Sequence, residues 1–120
     1  MTARAGLVAA RLNRAGYVEA LPRRGSGRHG AVLARFLQSD VQGDADAARG
    51  LLAAIAAARR GEPPQPEALG NAFAIAIAAD GATLRNVLLA EAPENYTLDE
   101  VGAALETWIA AIERARRAGP

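Results

Sequence analysis

The stretch Asn71-Ala72-Phe73-Ala74-Ile75-Ala76-Ile77-Ala78-Ala79-Asp80-Gly81-Ala82-Thr83-Leu84-Arg85-Asn86-Val87-Leu88-Leu89 decides the fold. Phe73, Ile75 and Ile77 alternate with Ala72, Ala74, Ala76 and Ala78, a period of two that sends bulk to one face of a strand and methyl groups to the other. Asp80-Gly81 tolerates positive φ at both central positions of a type I′ turn, so Thr83 to Leu89 is expected to return antiparallel. That turn would set Ile77 opposite Leu84, Phe73 opposite Leu88, and Asn86 opposite Ile75. An amide on the apolar face needs partners or a bulge that turns it outward, and Asn86 is expected to be a structural hydrogen-bonder.

Downstream, Thr97 and Glu100 spell a capping box, and Tyr96 and Val101 occupy the hydrophobic-staple positions. Leu98 to about Arg117 contains no helix breaker except Gly102, and Val101, Ala104, Leu105, Trp108, Ile109 and Ile112 share one face. That stripe matches Phe73, Ile75 and Ile77 in bulk, so the helix is expected to cross the core face of the hairpin with Trp108 inside. Arg114, Arg116 and Arg117 suit the negative end of the helix dipole.

Upstream, Leu7 to Leu12 and Tyr17 to Leu21 flank the turn-like Asn13-Arg14-Ala15-Gly16 and suggest a first hairpin. The Ala, Leu and Arg of the first arm also admit a short helix. Pro22 to Gly30 reads as a loop. Val32, Leu33, Phe36, Leu37 and Val41 form a helix stripe ending near Gly43. Asp44 or Asp46 can cap a second helix, with Leu51, Leu52 and Ile55 inward and Arg59-Arg60-Gly61 at its end. Glu62-Pro63-Pro64-Gln65-Pro66-Glu67 is a stiff connector. The expected fold is α+β: a small antiparallel sheet built from two hairpins, with three helices, in the order ββααββα. One domain over residues 1–120, with its core about 7–115, suits a chain of this length that is half apolar.

The abundance of alanine thins the core, because each alanine buries little surface. No cysteine is present, so disulfides and thiol chemistry are excluded and a reducing cytosol is the expected setting. Leu7 to Leu12, broken by Arg11, is too short for a secretory h-region, and no run is apolar enough to span a membrane. Net charge is +1 but unevenly spread: residues 1–35 hold seven arginines against Glu19 alone, and residues 36–100 hold ten acids against four arginines. Every basic residue is Arg, which reflects composition bias before it reflects phosphate recognition.

Gly25, Gly27 and Gly30 spell G-x-G-x-x-G. The dinucleotide context fails, because Pro22-Arg23-Arg24 separates strand from glycines and a helix follows where a parallel strand with a ribose-binding acid belongs. A general anion site made by Arg23, Arg24, Arg28 and His29 is the alternative chemistry, with phosphate or RNA as its ligand. RNA would want stacking aromatics beside these arginines, and only Tyr17 is near. His29 is the single histidine, and Ser26 is too close along the backbone to act with it as a nucleophile. One His without Cys builds no metal site, so no catalytic residue, metal or cofactor is expected, and the chain is read as a non-enzyme. Glu62 and Glu67, before the central hairpin, should neighbour Glu91 and Glu94 after it, giving an acidic rim. With Arg85, Val87 and Leu89 beside the alanine face, this rim is the candidate partner surface; otherwise a middle helix covers that face.

The order of first hairpin, Gly/His loop, two helices, Gly70-Asn71-Ala72-Phe73-Ala74-Ile75 with an Asp-Gly turn, and a closing helix with Leu105-x-x-Trp108-Ile109 resembles the small bacterial YacL-like proteins and related immunity proteins of contact-dependent or polymorphic toxin systems. The resemblance covers roughly residues 7–115. It implies a cytoplasmic, non-catalytic protein that binds and blocks a toxin domain, and it carries over no binding residue. Immunity proteins against basic nuclease toxins tend to be acidic, whereas this chain is slightly basic.

Overall fold

A computed structural model describes residues 6–118. The chain runs through β1 (Val8–Leu12), β2 (Val18–Pro22), α1 (Gly27–Phe36), a π-helical segment (Leu37–Val41), α2 (Ala45–Arg59), β3 (Ala68–Leu69), β4 (Phe73–Ala78), β5 (Gly81–Asn86), β6 (Glu94–Tyr96) and α3 (Leu98–Ala118). It is α+β with three α-helices and antiparallel pairing throughout. The expected order ββααββα requires correction, because β3 and β6 flank the central hairpin and the strands form two sheets: β1-β2, and β3-β4-β5-β6.

The first arm is a strand. Asn13 shapes the hairpin tip: its Oδ1 accepts from the amides of Ala15 at 2.9 Å and Tyr17 at 3.0 Å. In the central hairpin the register differs from expectation by two residues. Phe73 faces Asn86, Ile75 faces Leu84 and Ile77 faces Ala82, so the loop is Ala79-Asp80, and no residue there has positive φ. Gly81 closes the pairing opposite Ala78 with φ 147°, and a Cβ on it would lie 2.6 Å from the Tyr96 carbonyl oxygen. The glycine therefore serves the approach of β6 and its own backbone conformation, not a type I′ turn. Asn86 is the structural hydrogen-bonder anticipated, accepting from the amides of Leu88 and Leu89, each at 2.9 Å.

The capping box of α3 forms as read. Thr97 N–H donates to Glu100 Oε1 at 2.9 Å and Glu100 N–H to Thr97 Oγ1 at 3.0 Å, with Tyr96 and Val101 both buried beneath. Asp44, not Asp46, caps α2 by accepting from Ala47 N–H at 3.0 Å.

Trp108, Leu105 and Val101 are fully buried, but the expected packing of α3 across the central hairpin requires correction. α3 lies against α2 and β1, with smaller contacts to β2 and β5. Phe73 is met instead by Phe36 of α1, edge to face at 6.1 Å, and Leu51 of α2 shares the cleft beside Ile75. The middle helices thus take the bulky face of β4, leaving the stripe of α3 to α2 and the first hairpin. Of the alanine set, Ala74 is fully buried, with Leu69 of β3 and Arg85 of β5 as its strand partners, Ala72 packs against the core, and Ala76 and Ala78 are half-buried.

Asp40, in the π-helical segment, ties that segment to β4. Its carboxylate accepts from the amides of Ala72 and Phe73, each at 3.0 Å, and a Cβ on Gly70 would fall 2.1 Å from Asp40 Oδ2.

Candidate functional site

His29 lies in the first turn of α1, not in a loop, because the helix begins at Gly27. The turn faces β6 and the start of α3, and both ring nitrogens meet carboxylates: Nδ1 lies 2.9 Å from Glu94 Oε2 and Nε2 lies 3.2 Å from Glu100 Oε1. A neutral imidazole has one N–H and cannot donate to both, whereas an imidazolium can. Burial alone would lower the basicity of His29, but Glu94 and Glu100 outweigh it and hold its pKa above 6.5. Burial would likewise raise Glu100; the Thr97 amide and His29 reverse this and hold it below 4.5. The ring stacks on Tyr96 at 4.2 Å and 23°, and Tyr96 donates its phenolic hydrogen to the His29 carbonyl at 2.7 Å. Burial pushes the Tyr96 phenol up, so it stays protonated. Arg28 completes the junction, pairing with Glu94 and donating to the Ala92 carbonyl at 2.6 Å.

Two groups of residues singled out in the sequence for different ligands therefore meet one another. Arg28 and His29, candidates for an anion, hold Glu94, a candidate for a protein partner. An incoming phosphate would have to displace that carboxylate. Arg23 and Arg24 are exposed on the loop before α1, and no ion pair of theirs occurs among the described residues. The expected acidic rim is likewise met by arginine at each position: Glu67 pairs with Arg85 at 2.7 Å, Glu62 with Arg60 at 2.8 Å, and Glu91 with Arg35 at 3.3 Å. Each of these pairs is substantially exposed, so it contributes little to stability and can exchange for a partner's charges.

Between these pairs the chain displays apolar surface, part of which, Val87 and Leu89, was expected beside the outward alanine face and part of which, Leu88, was expected inside. Leu88 was expected opposite Phe73 in the core, yet it is 70% exposed, with Leu89 at 52%, Val87 at 37% and Leu69 at 73%. The segment is held in place, since Val87 N–H donates to the Ala72 carbonyl at 2.8 Å and the Asn86 side chain fixes the next two amides. Leu69, beside the β3-β4 turn, lies at the same end of the sheet as this turn.

Chemically, the junction around His29 is an electrostatic clasp. No hydroxyl or thiol nucleophile is bonded to the imidazole, both of whose nitrogens face carboxylates, and among the described residues no group of His, Cys, Asp and Glu could hold a metal ion. Among the same residues no helix is long and apolar enough to cross a membrane. The roles of Glu100, Tyr96 and Asp40 in these contacts were not read from the sequence. Only the capping-box assignment of Glu100 and the staple assignment of Tyr96 placed two of them at the helix start. No protein-family model, curated protein or solved structure matches the chain.

Proposed function

We propose that this chain is a non-catalytic protein-binding module and that its partner is a bacterial toxin domain, which it neutralises in the manner of an immunity protein in the cytoplasm. The observation that supports binding is the Val87-Leu88-Leu89 turn: three consecutive apolar residues held outward by defined hydrogen bonds. Such a run on the surface costs solubility unless a partner covers it. Leu69 extends the patch, and the Glu67–Arg85 and Arg35–Glu91 pairs provide charge near it, giving an apolar centre with a polar surround. The narrower assignment to toxin neutralisation rests on the resemblance of element order and of the Leu105-x-x-Trp108-Ile109 helix.

The test is co-expression with a candidate toxin domain from a neighbouring gene, scoring survival and co-purification. Wild-type chain should protect and co-purify. The double variant Leu88→Asp, Leu89→Asp should do neither while keeping its thermal unfolding, since both side chains are largely exposed. Death of cells carrying the wild-type chain, with nothing co-purifying, rejects that toxin as the partner.

The second proposal, an RNA or phosphate ligand on the 22–30 segment, draws its support from the exposed Arg23 and Arg24. Binding to an oligoribonucleotide would weaken steeply with salt, and Arg23→Ala with Arg24→Ala would flatten that slope. No binding at low salt removes it.

A further inference from the structure

Among the described residues, every arginine has a carboxylate at ion-pair distance except Arg14, Arg23, Arg24, Arg114, Arg116 and Arg117. Three of these six, from two elements, line clefts that share Leu12. Arg114 and Arg117, one helical turn apart on α3, line a cleft floored by Leu12 and Ala111. Arg14, at the tip of the β1-β2 hairpin, lines a second cleft that Leu12 also borders. Leu12 is 46% exposed and lines both clefts, so its side chain is an apolar element common to the two sets of arginines. The acids near it are already engaged: Glu19 accepts from Arg11 at 3.0 Å and Asn13 at 3.2 Å, and Glu113 pairs with Arg49 at 2.5 Å.

Arginines in the last turn of α3 also offset the negative end of the helix dipole. That role explains neither Arg14, which belongs to another element, nor a leucine left half in water beside both sets. We propose that the two clefts around Leu12 bind an acidic protein segment that anchors one apolar side chain on Leu12 and Ala111 while its carboxylates meet Arg14, Arg114 and Arg117. A nucleic acid would bring phosphates for the arginines but has no use for an aliphatic floor, and no aromatic ring lines either cleft for a base to stack on. The surface is separate from the Val87-Leu88-Leu89 turn, so it stands independently of the toxin assignment.

The experiment titrates the isotope-labelled full chain with a short peptide carrying one leucine flanked by glutamates and follows amide shifts. Saturable shifts at Leu12, Asn13, Ala111 and Ala115 are expected, with affinity falling as salt rises. Arg114→Glu with Arg117→Glu should weaken binding by about tenfold or more, and Leu12→Ser by about threefold to tenfold, in variants whose thermal unfolding is unchanged. Should the double variant fail to fold, Arg14→Glu serves in its place, because Arg14 is an exposed tip residue. Arg23→Ala with Arg24→Ala should leave the affinity as it was. No saturable shift at low salt overturns the proposal. So does an unchanged affinity in Leu12→Ser, which would reduce the site to bulk electrostatics. Tighter binding of an oligouridylate than of the peptide at these amides would assign the surface to nucleic acid instead.

Discussion

The indole nitrogen of Trp108 donates a 2.6 Å hydrogen bond to the backbone carbonyl of Gln42, joining the middle of α3 to the end of the π-helical segment. The ring is 1% exposed, so it fills the core while its one polar atom finds a partner at the border. Trp108→Ala should destabilise the fold by about 3–5 kcal/mol. Trp108→Phe removes the hydrogen bond and less volume, and should cost about 1–2 kcal/mol. Chemical denaturation of both variants checks the order; equal stability of wild type and Trp108→Ala would contradict the packing.

Gln42 itself has φ 56° and ψ −147°, a conformation that only glycine adopts without strain. Such a residue costs about 1–3 kcal/mol. Glycine relieves that strain but gives the unfolded chain more freedom, worth about 0.5–1 kcal/mol. Glycine also gives up the 2.8 Å bond from Gln42 Nε2 to the Ser39 carbonyl, so Gln42→Gly should stabilise by no more than about 1 kcal/mol, read as a raised denaturation midpoint with an unchanged slope.

The clasp at His29 predicts a two-sided pH dependence. Its folded pKa is raised, so the stability it contributes is complete below about 6.5 and is lost as pH rises through the higher folded value. Glu100 has a lowered pKa, so its contribution is present above about 4.5 and is lost as pH falls through the lower folded value. Thermal unfolding followed across this range should decline on both sides of a mildly acidic plateau. His29→Gln should remove the decline on the alkaline side that belongs to this group. Imidazole shifts followed by NMR should titrate above 6.5; a midpoint below it would mean that the carboxylates do not hold the ring.

What could be read from the sequence was whatever local chemistry dictates. The capping box at Thr97 and Glu100, the alternation through β4 and the stripe on α3 are each spelled by neighbouring residues, and each formed. The register of the central hairpin was not local. Gly81 looked like half of a turn, but its backbone answers to the carbonyl of Tyr96, a contact that exists only once β6 has docked. β6 and β3, of three and two residues, are too short to show a period. The displacement of the register carried Leu88 from an expected core position to an exposed turn, where it joins Val87 and Leu89, which the strand pattern had already placed outward. The His29 junction joins positions 65 and 71 residues apart, and its Glu100 oxygen already had a complete local role in accepting from the Thr97 amide.

Glu91 and Glu94 looked equivalent as charges of one rim, and the structure separates them. Among the described residues the Glu91 carboxylate meets only the side chain of Arg35, at 3.3 Å, and both side chains are at least a third exposed. Glu91→Arg should change stability by no more than about 0.5 kcal/mol, leaving it available as a probe of association rate with a partner. Glu94 is 17% exposed and holds both Arg28 and His29. Glu94→Arg would set three cationic groups together at the meeting of α1, β6 and α3. It should destabilise by about 1–3 kcal/mol, because the charges left behind are only partly hydrated. It should also lower the pKa of His29, since one of the two carboxylates that hold the imidazolium is gone and a cation replaces it. Denaturation of the two single variants, paired with the NMR titration of His29, distinguishes the positions. Equal, negligible effects would show that the His29 junction contributes nothing to the fold.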